Sequence, residues 1–170
     1  MILNNANQHS WFMFAKGINP FGLDTKVDVF IVNYESLSKF FVAEILPGQL
    51  SLKNIRFKAH ISLFKSVIID EIHRCKSLDT KQTKLTKGIA SGKECIIGLT
   101  GTPVVNCESD FKALLGIIDR LGDFGGSRSF DNNYQGSIDN LTAFKEKLYD
   151  TCFIRREKRE VLKDLPEKVR

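Results

Sequence analysis

The chain has 170 residues, 42% hydrophobic and 26% charged, with a formal net charge of +5, a balance that fits a globular α/β domain with a real core and excludes a disordered tail. Its four cysteines, Cys75, Cys95, Cys107 and Cys152, stand far apart with no Cys-x-x-Cys and no His at metal spacing, which argues against a zinc site and predicts free thiols in a reducing compartment. The longest apolar runs are too short to span a bilayer, and Met1 is followed by Ile-Leu-Asn-Asn rather than a signal-peptide pattern, so an intracellular protein of cytoplasm, nucleoid or nucleus, neither secreted nor membrane-bound, is expected.

In chain order, Trp11, Phe12 and Phe14 read as core packing, with base stacking as the minority alternative. Val27 to Asn33 is rich in β-branched residues and predicts a buried strand; Ser36 to Leu46 predicts a helix stopped by Pro47-Gly48. Ser66 to Asp70 is a strand, 79–90 a helix, Glu94 to Leu99 a strand, and Ser109 to Leu121 a helix with Phe111, Leu114, Leu115 and Ile118 inward. Gly122 to Gly136 turns to Gly, Ser, Asn and Asp and predicts a long loop, followed by a helical pattern from Leu141 to Tyr149. No internal repeat is visible. The alternation of strand and helix predicts a mostly parallel sheet with helices on both faces and working residues at the carboxyl ends of the strands.

The charge is uneven. Residues 53–94 hold ten Lys or Arg against four Asp or Glu. Between residues 78 and 90, Leu78, Leu85 and Ile89 fall on one helical stripe while Lys81, Lys84 and Lys87 step round the opposite flank. Such a cationic face reads either as a solvated surface or as a site of attraction to a polyanion such as nucleic acid.

The chemistry concentrates at Ser66-Val-Ile-Ile-Asp-Glu-Ile-His73, an apolar strand with two adjacent carboxylates at its polar end. In a P-loop NTPase the first of such a pair, here Asp70, holds Mg²⁺ through ordered water, and the second, here Glu71, can orient and deprotonate the attacking water. A second apolar run ends in Leu99-Thr100-Gly101-Thr102-Pro103, which by itself could be only a turn. His73 reads as a packed histidine opening a helix, and its ring can both donate and accept; Arg74 and Lys76 read as structural or solvated. Gly88-Ile-Ala-Ser-Gly92-Lys93-Glu94 superficially resembles a phosphate loop, but it is one residue short, carries Glu where a hydroxyl is needed, and precedes a strand, so a helix C-cap and turn is predicted.

Three segments carry a family resemblance. Asp70-Glu71-Ile72-His73-Arg74-Cys75-Lys76 looks like Asp-Glu-Ala-His-Arg-x-Lys, Gly98-Leu-Thr-Gly-Thr-Pro-Val-Val-Asn106 looks like Leu-Thr-Gly-Thr-Pro-Leu-x-Asn, and Ile154-Arg155-Arg156 through Leu165-Pro166 looks like Leu-Arg-Arg-x-Lys-x-x-Val-x-x-x-Leu-Pro. All three resemble the Swi/Snf-type DNA-dependent ATPases of helicase superfamily two, and Asn33-Tyr34-Glu35 matches their Ser/Asn-Tyr-Glu segment. The short loop and closing segment look most like the annealing-helicase subgroup.

The resemblance implies a RecA-like lobe within a two-lobed enzyme that binds ATP and Mg²⁺ and moves on double-stranded or branched DNA. Residues 1–125 would be a partial ATP-binding lobe with motifs II and III, and 126–170 a loop, helix and closing segment leading toward a second lobe. It further implies Asp70, Glu71 and His73 as catalytic residues, Thr100, Gly101, Thr102 and Pro103 as the coupling motif, Tyr34 as a DNA-side residue and Arg155 and Arg156 as a lobe-joining element. Gly-x-x-x-x-Gly-Lys-[Ser/Thr] does not occur in the chain and would lie upstream, so the strand over residues 95–99 is expected to lack its P-loop neighbour. A second chain supplying the P-loop and second lobe, a truncated product, or substitution by residues near Met1 would each account for this. The alternative function is a non-catalytic remnant or a DNA- or protein-interaction module.

Overall fold

A computed structural model describes residues 29–101, 108–135 and 138–155. They belong to two compact units, 1–119 and 120–170. In the first unit, residues 29–33 form no strand, although Phe30, Val32 and Tyr34 alternate inward against the core as the period-two pattern requires. The β-branched run therefore supplies side chains to the core without a ladder; positions 27 and 28 lie outside the described residues.

Asn33 accepts from the Ser36 amide and opens a 3₁₀ turn, Tyr34–Ser36, that continues into α1, Leu37–Phe41. The predicted helix to Leu46 is corrected here. Val42–Ile45 leaves the helix as β1 and pairs antiparallel with β2, Ile55–Phe57, with a register irregularity between Val42 and Glu44. Pro47-Gly48 lies in the hairpin connection, where Gly48 takes φ +118°, instead of ending a helix. Local sequence allowed either state for Val42–Ile45, and pairing with β2 decided it.

β3, Ser66–Ile69, lies parallel to β4, Cys95–Gly98, in register Ser66 to Cys95 through Ile69 to Gly98. The crossover between them is α2, Lys81–Ala90, whose N-cap Thr80 accepts from the Thr83 amide at 3.2 Å. Leu85 and Ile89 are buried as predicted, whereas Leu78 precedes the helix and is exposed. Gly88 lies inside α2, where any Cβ would overlap the ring of Phe57 in β2, so the glycine permits the close packing of helix on hairpin. The turn after Ala90, with Gly92 at φ +72°, agrees with the predicted helix end.

α3, Glu108–Ile117, buries Phe111, Ala113, Leu114, Leu115 and Ile117, while Ile118 follows the helix and packs partly buried against the core. Two core clusters result. Leu37, Phe40, Phe41, Ile55, Leu85 and Ile89 form one, and Ile69, Ile72, Cys75, Ala90, Leu114 and Ile117 the other, so α2 serves both. Among the described residues, the expected single, mostly parallel sheet is instead one parallel pair and one antiparallel pair, and β4 has β3 as its neighbour. The helices expected on both faces do not cover Ile68 and Ile97, which are paired in register and exposed.

In the second unit, the predicted loop from Gly122 is a 3₁₀ turn, Leu121–Phe124, followed by α4, Gly126–Tyr134; the long helix α5, Ile138–Thr151, comes next. Gly125 and Gly126, at φ +80° and +77°, turn the chain between the first two. The Gly/Ser/Asn composition hid a helix because Phe124, Phe130 and Tyr134 anchor it against Phe144. Aromatic burial outweighed low helix propensity. Trp11, Phe12 and Phe14 lie outside the described residues.

Candidate functional site

The β3–β4 ladder brings two distant segments to one end. Beyond the strands, the Leu99 amide donates to the Ile69 carbonyl at 2.8 Å and the Ile72 amide donates to the Leu99 carbonyl at 3.0 Å, so the parallel pairing runs on into the turn that carries the carboxylates. Asp70 and Glu71 are exposed at the head of this turn, and Ile72–Cys75 forms a 3₁₀ turn behind them. Ile72 and Cys75 anchor it in the core. Gly98 is part of the fit: an added Cβ would lie 2.7 Å from Ile72 Cδ1, so any larger residue would push the turn away from β4. From sequence that glycine stands only at the head of the Gly98-Leu-Thr-Gly-Thr-Pro segment, with no role assigned to it.

Glu71 sits at φ 48°, ψ 48°, the left-handed region that a residue with a Cβ seldom occupies. Its amide donates to Asp70 Oδ1 at 3.0 Å, and its Oε2 lies 3.1 Å from His73 Nδ1. His73 Nδ1 is also 2.9 Å from Thr100 Oγ1. Glu71 Oε2 and Thr100 Oγ1 thus both lie within hydrogen-bond distance of one ring nitrogen, whose donor or acceptor role follows the tautomer. His73 thereby bridges the two motifs.

Behind the turn, Tyr34 donates from its hydroxyl to the Asp70 carbonyl at 2.7 Å. The Arg74 guanidinium lies 5.0 Å from the centroid of the Tyr34 ring and donates to Glu35 Oε1 at 3.0 Å. Burial first, then the adjacent Cys75 thiol, push the Tyr34 phenol well above its usual range. It stays protonated, and a donor, at physiological pH. Glu35 is held below the usual carboxyl range, first by its own backbone amide and then by Arg74.

The predicted lysine flank is only partly free. Lys81 is exposed, but Lys84 donates to the Asp79 carbonyl at 3.0 Å with its side chain only 18% exposed, and Lys87 is half-buried. Contacts at the helix start, invisible in a helical-wheel count, hold Lys84. Thr100 and Gly101 follow β4 after Leu99, Arg155 is exposed in the second unit, and Thr102, Pro103 and Arg156 lie outside the described residues.

Among the described residues, no cluster of three or more His, Cys, Asp or Glu could hold a metal ion. The donor set fits Mg²⁺ carried with a nucleotide, since that ion takes one or two carboxylates and keeps phosphate oxygens and waters for its other positions. Cys75, Cys95 and Cys152 are free thiols, and among the described residues no helix is long and apolar enough to cross a membrane.

The SNF2-related domain family matches residues 1–170. The SWI/SNF-related matrix-associated actin-dependent regulator of chromatin subfamily A-like protein 1 of Xenopus laevis is 30% identical over 173 residues, covering 95% of this chain and 17% of the relative. The CHD3-type chromatin-remodeling factor PICKLE of Arabidopsis thaliana is 28% identical over 148 residues, covering 84% of this chain and 9% of the relative. The chain thus spans less than a fifth of the length of these relatives. No solved structure matches. The match over the full chain, together with two motifs joined at one end of a parallel strand pair, makes this chain a member of the SNF2-related domain family, carrying part of a Swi/Snf-type ATPase domain.

Proposed function

We propose that the chain is part of the RecA-like ATP-binding lobe of a DNA-dependent translocase, with residues 1–125 in the lobe and 126–170 leading toward a second one. The observation that carries this reading is the Glu71–His73–Thr100 contact, which ties the end of β3 to the end of β4. Asp70 would hold Mg²⁺ through water; the ion supplies charge neutralisation at the nucleotide phosphates. Glu71 accepts the proton of the attacking water and, through His73, passes changes at the carboxylates to Thr100 and the rest of the coupling motif, Gly101, Thr102 and Pro103. The partner is DNA, double-stranded or branched, or DNA in chromatin, and the compartment is the nucleus; the relatives' names, which speak of chromatin, support both. Lys81, with Lys84 and Lys87 behind it, supplies phosphate attraction, and Arg155 and Arg156 join the lobes. The resemblance of the closing segment favours the annealing-helicase subgroup.

Catalysis needs the phosphates held as well as the carboxylates placed, and these 170 residues contain no Gly-x-x-x-x-Gly-Lys-[Ser/Thr]. The isolated chain should therefore release phosphate only at background rate. Joined to the upstream P-loop segment and the downstream lobe of an SNF2 relative, it should show DNA-stimulated hydrolysis. In that chimera Glu71→Gln should abolish turnover while sparing nucleotide binding, and Asp70→Ala should also weaken Mg²⁺-dependent binding. An active chimera indifferent to both changes removes the assigned roles; a folded chimera that binds DNA but never turns over favours the non-catalytic interaction module.

A further inference from the structure

We infer that Tyr34, Glu35 and Arg74 form a latch that holds the Asp70–Glu71 peptide in its left-handed turn, which makes Tyr34 a positioning residue for the carboxylate pair rather than a DNA contact. A residue with a Cβ seldom holds φ 48°, ψ 48°, and the backbone here is fixed from three sides. Asp70 Oδ1 accepts the Glu71 amide at 3.0 Å, the Leu99 carbonyl accepts the Ile72 amide at 3.0 Å, and the Tyr34 hydroxyl reaches the Asp70 carbonyl at 2.7 Å. The first two contacts arise within the motif and its neighbouring strand. The third comes from a residue 36 positions earlier, at the start of a different segment.

Tyr34 is itself held. Its ring lies under the Arg74 guanidinium, and Arg74 is tied in turn to Glu35, the residue after Tyr34, so each element grips the other twice. Arg74 belongs to the same turn as Glu71, whose carbonyl accepts the Arg74 amide at 2.9 Å. Rotation of the 70–71 peptide would break the Tyr34 bond and drag on the amide that carries Arg74. The orientation so enforced is the one that keeps Glu71 Oε2 within 3.1 Å of His73. With its hydroxyl and one ring face in use, Tyr34 has little left to offer a nucleic acid. The consequence for catalysis rests on the ATPase reading above; the latch does not.

The test uses the full 170-residue chain, isotopically labelled. Tyr34→Phe keeps the ring under Arg74 and removes only the hydroxyl, so the chain should fold. Loss of one hydrogen bond to a partly exposed carbonyl should raise Ile72 amide exchange by roughly three- to tenfold and move the Glu71 Cα and Cβ shifts away from left-handed values. Adding Glu71→Gly should remove most of that rise, because glycine occupies the left-handed region without a Cβ penalty. Arg74→Lys, which keeps charge but loses the flat stacking fork, should reproduce part of the Tyr34→Phe change. Glu71 shifts and Ile72 exchange that stay at the parent values in Tyr34→Phe would overturn the latch. So would an increase in exchange spread equally over β1, β2 and α2. In the chimera, Tyr34→Phe should lower kcat with KM for ATP and DNA affinity unchanged; a fall in DNA affinity with kcat unchanged would return Tyr34 to the DNA. A chimera without turnover would count against the ATPase reading alone, since the shift and exchange data decide the latch by themselves.

Discussion

In the second unit Phe124, Phe130, Tyr134 and Phe144 face one another at centroid distances of 5.4 to 6.3 Å. Three of those rings are 2% exposed or less, whereas at the parallel ladder of the first unit Ile68 and its register partner Ile97 are 67% and 44% exposed. The difference follows from how each is assembled. The aromatic cluster draws on residues within a span of about twenty positions, from a 3₁₀ turn and two helices in sequence, and closes on itself. A parallel strand pair is joined by a crossover that can cover one face, and parallel strands are ordinarily apolar on both. Here the crossover α2 and then α3 cover the face that holds Ile69, and the turn that carries Asp70 and Glu71 is anchored on that covered side. Placing the carboxylates thus required only half of the ladder to be buried.

The comparison can be broken first at its closed end. Phe130→Ala should cost about 3–5 kcal/mol, because a fully enclosed ring leaves a cavity that its aromatic neighbours cannot refill. The loss should appear as amide deprotection concentrated in residues 120–155, and retention of parent protection there would show that the cluster is not what closes this unit. At the open end, adjacent residues of β3 provide a matched pair. Ile69→Ala should lower stability by about 2–5 kcal/mol in urea unfolding, since Ile69 is packed among Ile72, Ala90 and Leu114. Ile68→Ala, one residue away on the opposite face, should stay within about 0.5 kcal/mol. An equal loss at both positions would mean that the exposed face is covered in solution.

The smallest effect concerns His60, beside the other core cluster. Its ring nitrogen contacts the Phe40 carbonyl at 3.1 Å and its ring lies 6.0 Å from Phe41, and burial is the leading cause that lowers its pKa from 6.5. The folded state therefore binds fewer protons than the unfolded state below that value. Its contribution is complete above the unfolded pKa and is lost as pH falls toward the folded one. Unfolding midpoints should decline gently as pH falls below about 6.5, and His60→Gln should flatten that decline. A parent chain with a flat profile would remove His60 as a titrating group in the core.

The elements that were legible from sequence are those whose pattern is fixed by their own residues. β3 and β4 are short apolar runs bounded by polar ends, and α2 and α3 show helical spacing. The elements that were misread depend on a partner. Val42–Ile45 has no local reason to prefer a strand, residues 29–33 have β-branched side chains without a ladder, and α4 has a composition that suits a loop. The site divides in the same way. Asp70, Glu71, His73 and Thr100 could be marked because apolar strands ending in those groups form a pattern, while Gly98 and the Tyr34 hydroxyl could not, because their roles are close approach and a long-range hydrogen bond.

By itself, then, the sequence determined the chemistry: two adjacent carboxylates, a histidine and a threonine at the ends of two apolar strands, together with the family to which that combination belongs. Only the tertiary structure decided the stereochemistry. The left-handed backbone at Glu71, the meeting of His73 with Thr100, the contact of the Tyr34 hydroxyl with the Asp70 carbonyl and the tie of Lys84 to Asp79 all depend on groups distant in sequence or on the closing of a helix end. Spacing along a chain specifies which groups share a face. It does not specify the torsion angles of the peptide that presents them, which are set by the hydrogen bonds and packing available after the strands have paired.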